Sequence, residues 1–125
     1  MLGIGVVAVG VVDVERAAAF WCAALGYVRH EGGFGGWSTV LEPPAGDGPK
    51  LALQRSEQPP EDHPRLHLDL HVASLAEQEA EAERLVGLGA VRVDWPDYPD
   101  DPDFVVLADP DGNRFCIVDL SHPTD

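Results

Sequence analysis

Apolar residues recur along this chain in two rhythms that take turns. From Ile4 to Val12 the run is dense and β-branched, as in a strand. At Asp13 it becomes DVERAAAFWCAALGY, an Ala-rich stretch with an acidic cap candidate at its start and a Leu25-Gly26 exit. That is a helix with its stop signal. Three strand-like pieces follow, Tyr27–Arg29, Trp37–Leu41 and Leu51–Gln54, with the turn-forming PPAGDGP before the last.

The same order then recurs. A strand Leu66–Val72 leads into SLAEQEAEAERLVGLGA, which exits at Leu88-Gly89. Ser74 and Glu77 form a capping box that places this helix start. The strand pieces Val91–Val93, Phe104–Leu107 and Phe115–Leu120 follow. Asp109-Pro110-Asp111-Gly112 has type I turn chemistry and stands where PPAGDGP stood before. The chain therefore reads βαβββ, linker, βαβββ, with repeats at about 2–54 and 66–120 and a Pro-rich linker over 55–65. Neither half is large enough for a stable core of its own, so the two are expected to pack together as one domain over 1–125.

Alternation assigns faces in the second repeat. Leu66, Leu68, Leu70 and Val72 take one face, expected under the helices; His67, Asp69 and His71 take the other. Superposing the helix starts, Asp13 on Ser74, sets His67 on Val6, Asp69 on Ala8 and His71 on Gly10. One wall is polar and its counterpart is small and apolar, the composition of a ligand site. Asp69 and His71 read either as a same-face ion pair or as an acid/base pair. His67 either bonds a neighbour or meets a ligand. Arg114 shares the parity of Cys116 and is a candidate to hold an anionic group. Trp37 and Trp95 flank strand starts and either stack on a flat ligand or fill the core.

Composition narrows the partners. Twenty-two acidic residues against eight basic ones leave a formal charge of −14, which repels nucleic acid and anionic membranes alike. Cys22 and Cys116 form no CxxC pair, so a zinc ribbon, a thioredoxin motif and a disulfide scaffold are set aside. The apolar run Leu2–Val12 is too short to span a bilayer and lacks a basic leader, so a cytoplasmic location is expected. GIGVVA at 3–8 matches a dinucleotide fingerprint, but strand follows it where a helix must open. DWPDYPDDPD at 94–103 lacks the spacing of a calcium loop and reads as a stiff acidic loop, with Trp95 and Tyr98 as candidates to cover a site.

The doubled βαβββ pattern, with DVERAAAFWCAALGY early and DPDGNRFCIV late, resembles the vicinal oxygen chelate superfamily. That group holds glyoxalase I, bleomycin-resistance proteins and extradiol dioxygenases, and the chain is most similar to its small glyoxalase-like members. The resemblance runs from about Leu2 to Leu120. It implies an α+β fold in which two βαβββ units form a cup-shaped mixed sheet, usually as a homodimer. It implies a small-molecule ligand in the cup and, in the enzymes, a divalent metal.

Metal-dependent members draw ligands from the first strand of each unit and the last strand of a unit. Those positions are Val6, His67 and Cys116 here, the last standing where DPDGxxxE has its Glu. Val6 cannot bind a metal. No cofactor is therefore expected, and His67 with Cys116 are the candidates should a divalent metal bind. His71 is a poor third ligand, about 13 Å along the strand from His67, and Asp69, about 7 Å away, is awkward. Cys116 reads as a small apolar filler, a metal ligand or a thiol activated by His67. The ligand-binding set is His67, Asp69, His71, Cys116, Arg114, Trp37 and Trp95. Two functions follow: a metal-free module that sequesters a drug or metabolite, or an enzyme. The enzyme would be of lyase or dioxygenase type, or would use metal-free acid/base chemistry on a small metabolite.

Overall fold

The computed structural model describes residues 1–30 and 39–123. The chain divides into two compact units, Met1–Pro59 and Pro60–Asp125. Each is a βαβββ unit with its own four-stranded mixed sheet.

In the first unit, β1 (Val6–Val11) leads into α1 (Val14–Leu25), then β2 (Val28–Arg29), β3 (Thr39–Glu42) and β4 (Lys50–Arg55). The strand order is β1-β4-β3-β2, with β1 parallel to β4 and the other pairs antiparallel. Asp13 caps α1 by accepting the Arg16 N–H at 3.1 Å. Gly26 ends it in the left-handed region, at φ 70°. Phe20 and Trp21 are buried on this helix in an edge-to-face pair, 5.0 Å between centroids. Leu41, Leu51 and Leu53 are buried on the strands. Burial of each such side chain contributes about 1.5–3 kcal/mol.

The second unit repeats the plan. β5 (Asp69–Val72) leads into α2 (Leu75–Gly87), then β6 (Val91–Arg92), β7 (Phe104–Ala108) and β8 (Arg114–Asp119), in the order β5-β8-β7-β6. The capping box forms: Ser74 accepts the Glu77 N–H at 3.1 Å, and the Glu77 carboxylate accepts the Ala73 N–H at 2.9 Å. Ala82, Leu85 and Gln78 are the buried positions of α2. The Gln78 amide donates to the carbonyls of Asp103 and Ile117, both at 2.9 Å, and so ties the helix to β8 and to the start of β7.

The strands differ from the sequence reading at their ends. The first is two residues shorter at its start, and β5 begins at Asp69 rather than Leu66. Leu66 is accordingly exposed, not packed under a helix. Pairing with β8 starts only at Leu68, whose carbonyl accepts the Cys116 N–H at 2.9 Å. Alternation has no ladder to act on before that point.

The hairpin between β7 and β8 is built around Asp109. This buried carboxylate accepts the Asp111 and Asn113 N–H groups at 3.0 and 2.8 Å, so its negative charge is met by backbone donors. Gly112 closes the turn at φ 91°, and a Cβ there would stand 2.9 Å from the Pro60 ring. Replacing Gly112 by Ala is expected to cost at least about 1–2 kcal/mol from the left-handed backbone alone. Gly87 has open space and no positive φ, so Gly87→Ala should be neutral or stabilising by up to about 1 kcal/mol. Urea unfolding of the two variants checks the contrast.

Candidate functional site

The sheet of the second unit has two faces of different chemistry. Register sets the rows. Asp69 lies opposite Cys116 and Cys116 opposite Val106; His71 lies opposite Val118 and Val118 opposite Phe104. The intervening row, Leu70 with Ile117 and Val105, belongs to the other face, and the Ile117 carbonyl is where Gln78 of α2 is bound. The face away from α2 therefore carries Asp69, Cys116, Val106, Phe104, Val118 and, one step earlier on β8, Arg114.

A cavity of about 460 Å³ opens on this face. Phe104, Val106, Phe115, Cys116 and Val118 supply its apolar floor. His63, His67, Asp69, Asp103 and Arg114 supply polar groups, and Trp95 adds a ring. Its size is that of an ordinary small-molecule site.

His67, Asp69 and Cys116 converge. The His67 Nε2 lies 3.0 Å from the Asp69 carboxylate. One donor atom from each of the three residues falls within 4.8 Å of the others. Burial first, then the carboxylates of Asp69 and Asp103, push the Cys116 thiol up to about 11. A thiol so shifted holds its proton near neutrality, and the His67 imidazole faces the Asp69 carboxylate.

Asp69 was expected to sit awkwardly for sharing a site with His67. The backbone rise between them is about 7 Å, but the two side chains lean toward each other over Leu68 and close that gap. The Asp69–His71 pairing is replaced by Asp69–His67. His71 has the right parity but is exposed and is not among the residues lining the cavity. Trp37 lies outside the described residues. Trp95 lines the cavity, its ring tilted by 42° against the His63 ring at 4.8 Å between centroids and 5.9 Å from the Arg114 guanidinium.

Tyr98 has a different task. Its hydroxyl accepts the Val106 N–H at 2.7 Å. Val106 is buried and its carbonyl accepts the Val93 N–H; its own N–H goes to Tyr98, beyond the end of β6. Tyr98 thus continues the ladder with a side chain and pins the acidic loop to β7.

Phe104, Val106 and Val118 were legible as floor residues from parity once the register was known. His63, Pro64 and Asp103 were not, because linker and loop residues have no periodicity to place them.

The donor set of His67, Asp69 and Cys116 suits zinc, which takes imidazole, carboxylate and thiolate ligands. Ligand atoms around zinc stand about 3.5 Å apart when bonds are 2.0–2.3 Å long, so atoms within 4.8 Å need only a small inward movement. The residues fit the group, with the Cys116 proton leaving on binding.

Two outcomes are expected. Tyr98→Phe leaves a buried N–H without its acceptor and should lower unfolding free energy by about 1–3 kcal/mol in urea. In chelator-treated protein, iodoacetamide alkylation of Cys116 should be slow at pH 7.5 and should rise with pH toward a midpoint of about 11. Asp69→Asn should move that midpoint down, because removing a carboxylate charge makes the thiolate easier to form.

Among the described residues no helix is long and apolar enough to cross a membrane. A search of curated protein sequences returns no match. Solved structures do match across nearly the whole chain. A glyoxalase-related enzyme from Fulvimarina pelagi shares 20% identity at TM-score 0.71, covering 97% of this chain and 90% of that one. A glyoxalase/bleomycin resistance protein/dioxygenase family enzyme from Burkholderia phytofirmans shares 16% at TM-score 0.72, covering 93% and 97%. The fosfomycin resistance protein FosX from Listeria monocytogenes shares 15% at TM-score 0.71, covering 95% and 91%. At these identities the likeness is one of fold, the α+β glyoxalase/bleomycin-resistance-like fold. The glyoxalase-like domain profile matches residues 6–118, and the chain belongs to the glyoxalase-like domain family.

Proposed function

We propose that this protein binds a small, partly apolar molecule in the cavity of its second unit and so captures a drug or metabolite. The observation that carries the reading is the cavity itself: about 460 Å³, apolar below and polar along one side. The polar groups are few, and His67 and Asp69 already satisfy each other. That arrangement holds and orients a ligand without requiring a reaction. The first-unit counterparts of the polar strand, Val6 and Ala8, have no polar side chain. A homodimer is the assembly this reading carries; light scattering that returns a monomer mass at micromolar concentration would remove it.

One observation favours an enzyme instead. Three donor atoms of different chemistry, from His67, Asp69 and Cys116, lie within 4.8 Å of one another beside the cavity. A zinc ion held there would supply a Lewis acid facing the bound molecule. On that reading His67, Asp69 and Cys116 hold the ion, Arg114 orients the substrate and the apolar floor excludes water.

Elemental analysis separates the two. Protein purified without a histidine tag is expected to carry metal well below one equivalent, and a thermal-shift screen of small molecules should raise the Tm of chelated protein. Near-equimolar zinc that disappears in both His67→Ala and Cys116→Ser would instead establish a metal site at these residues and favour the enzyme. With a true ligand in hand, His67→Ala should weaken binding roughly tenfold to a hundredfold, the effect of stranding one hydrogen-bond partner in a dry pocket.

A further inference from the structure

Arg114 is the strong cation of the cavity, and it is already holding a carboxylate. Its Nη1 donates to the Asp62 carbonyl at 2.7 Å, and its Nη2 lies 3.5 Å from the Asp62 side-chain oxygen. The two side chains differ sharply in environment. That of Arg114 is 23% exposed and that of Asp62 is 87% exposed. An exposed carboxylate at 3.5 Å is a weak partner. A guanidinium has five N–H donors in a planar fork, and the fork takes a carboxylate through two parallel bonds. Asp62 uses it less fully than that. Beside the fork lies the Trp95 ring, 5.9 Å from the guanidinium carbon, and the His63 ring lies against Trp95 with 4.8 Å between centroids.

We infer that the ligand of this cavity is a carboxylic acid with a flat apolar body, and that its carboxylate takes Arg114 from Asp62. The inference rests on the small-molecule reading above. The ligand's acid group sits at the Arg114 end, and its body lies on Val106, Phe104 and Val118 with Trp95 at its side. Asp62 meets one arm of the fork when no ligand is present, so the guanidinium keeps a counter-charge beside it. The overall charge of −14 opposes an anion. Its reach is limited to about 8 Å at physiological ionic strength, so the groups beside the ligand decide. Asp69 and Asp103 face the same cavity. Asp69 is engaged by His67, and it stands in the Cys116 row, about 7 Å along the strands from Arg114. Asp103 precedes Phe104, beyond the next row. The two acids are therefore at the far side of the ligand's body, where a donor and not an acid group would meet them.

Four probes of one size test this: phenylacetate, phenylacetamide, 2-phenylethanol and 2-phenylethylamine. Each is titrated into the ¹⁵N-labelled full chain at pH 7.5. Phenylacetate is expected to shift the amides of Asp69 and Cys116 and the Trp95 indole, and to bind at least about tenfold more tightly than the three others. Arg114→Gln should remove that preference and leave the neutral probes as they were; Arg114→Lys, with charge but no fork, should fall between. Asp62→Asn changes only an exposed side chain and should tighten phenylacetate severalfold by removing its competitor. If the neutral probes bind as well as the acid and both Arg114→Gln and Asp62→Asn change nothing, the carboxylate inference falls and the small-molecule site stands. Preference for the amine overturns it in favour of the Asp69–Asp103 side. If no probe moves any cavity resonance, the inference and the small-molecule reading fall together.

Discussion

The parallel pairing of β5 with β8, in the register that sets Asp69 opposite Cys116, is the constraint on which the site depends. Neither strand carries the chemistry alone. β5 and the residues just before it bring an imidazole and a carboxylate; β8 brings a thiol and a guanidinium. Because side chains alternate with a period of two, a slip of one residue would turn Cys116 and Arg114 toward the α2 face and bring Ile117 to the cavity face. The register is held at its ends by groups outside the ladder. Gln78 clamps the Ile117 carbonyl from the helix side, and the Asp109 turn fixes where β8 begins.

The first unit has the same frame without the same chemistry. There Ala8 lies opposite Ala52, as Asp69 lies opposite Cys116. One row along, Val6 lies opposite Lys50, in the place where His67 and Arg114 stand. Lys50, like Arg114, is met by a carboxylate, Glu42, at 3.5 Å. A hydrogen bond from His30 above all, with Lys50 adding to it, holds the Glu42 carboxyl below the usual range. A backbone repeat is thus kept while the side chains that bind are concentrated in one copy. Fold and site are separable properties of this chain.

Charge acts here through neighbours and not through the total. Burial first, and then two nearby carboxylates, keep the Cys116 thiol protonated, so a strongly acidic protein carries a neutral group in the lining of its cavity. Acids around the cavity are met by basic side chains: Asp69 by His67, Asp62 by Arg114. What remains available to a ligand is the weaker of those pairs and the apolar floor beneath them.

By itself the sequence determined the doubled βαβββ plan, both helix starts and the turn before β8. Each is a local event: a side-chain oxygen three residues before the N–H it accepts, a glycine where φ must be positive, an aspartate folded back on its own turn. It also determined that His67, Asp69 and His71 share one face of their strand and Arg114 and Cys116 one face of theirs, because alternation is local too; register made the two faces one. Only the tertiary structure decided that Asp69 turns to His67 and not to His71. It decided as well that Leu66 is left outside the ladder and that His63 and Trp95 from two loops meet over the same floor. Tyr98, eight residues before Val106, completes the hydrogen bonding of β7 from a loop where no pattern announces it. These outcomes depend on register, on where pairing begins and on loop paths, which are set by contacts between residues far apart in the chain and leave no period in the sequence to read.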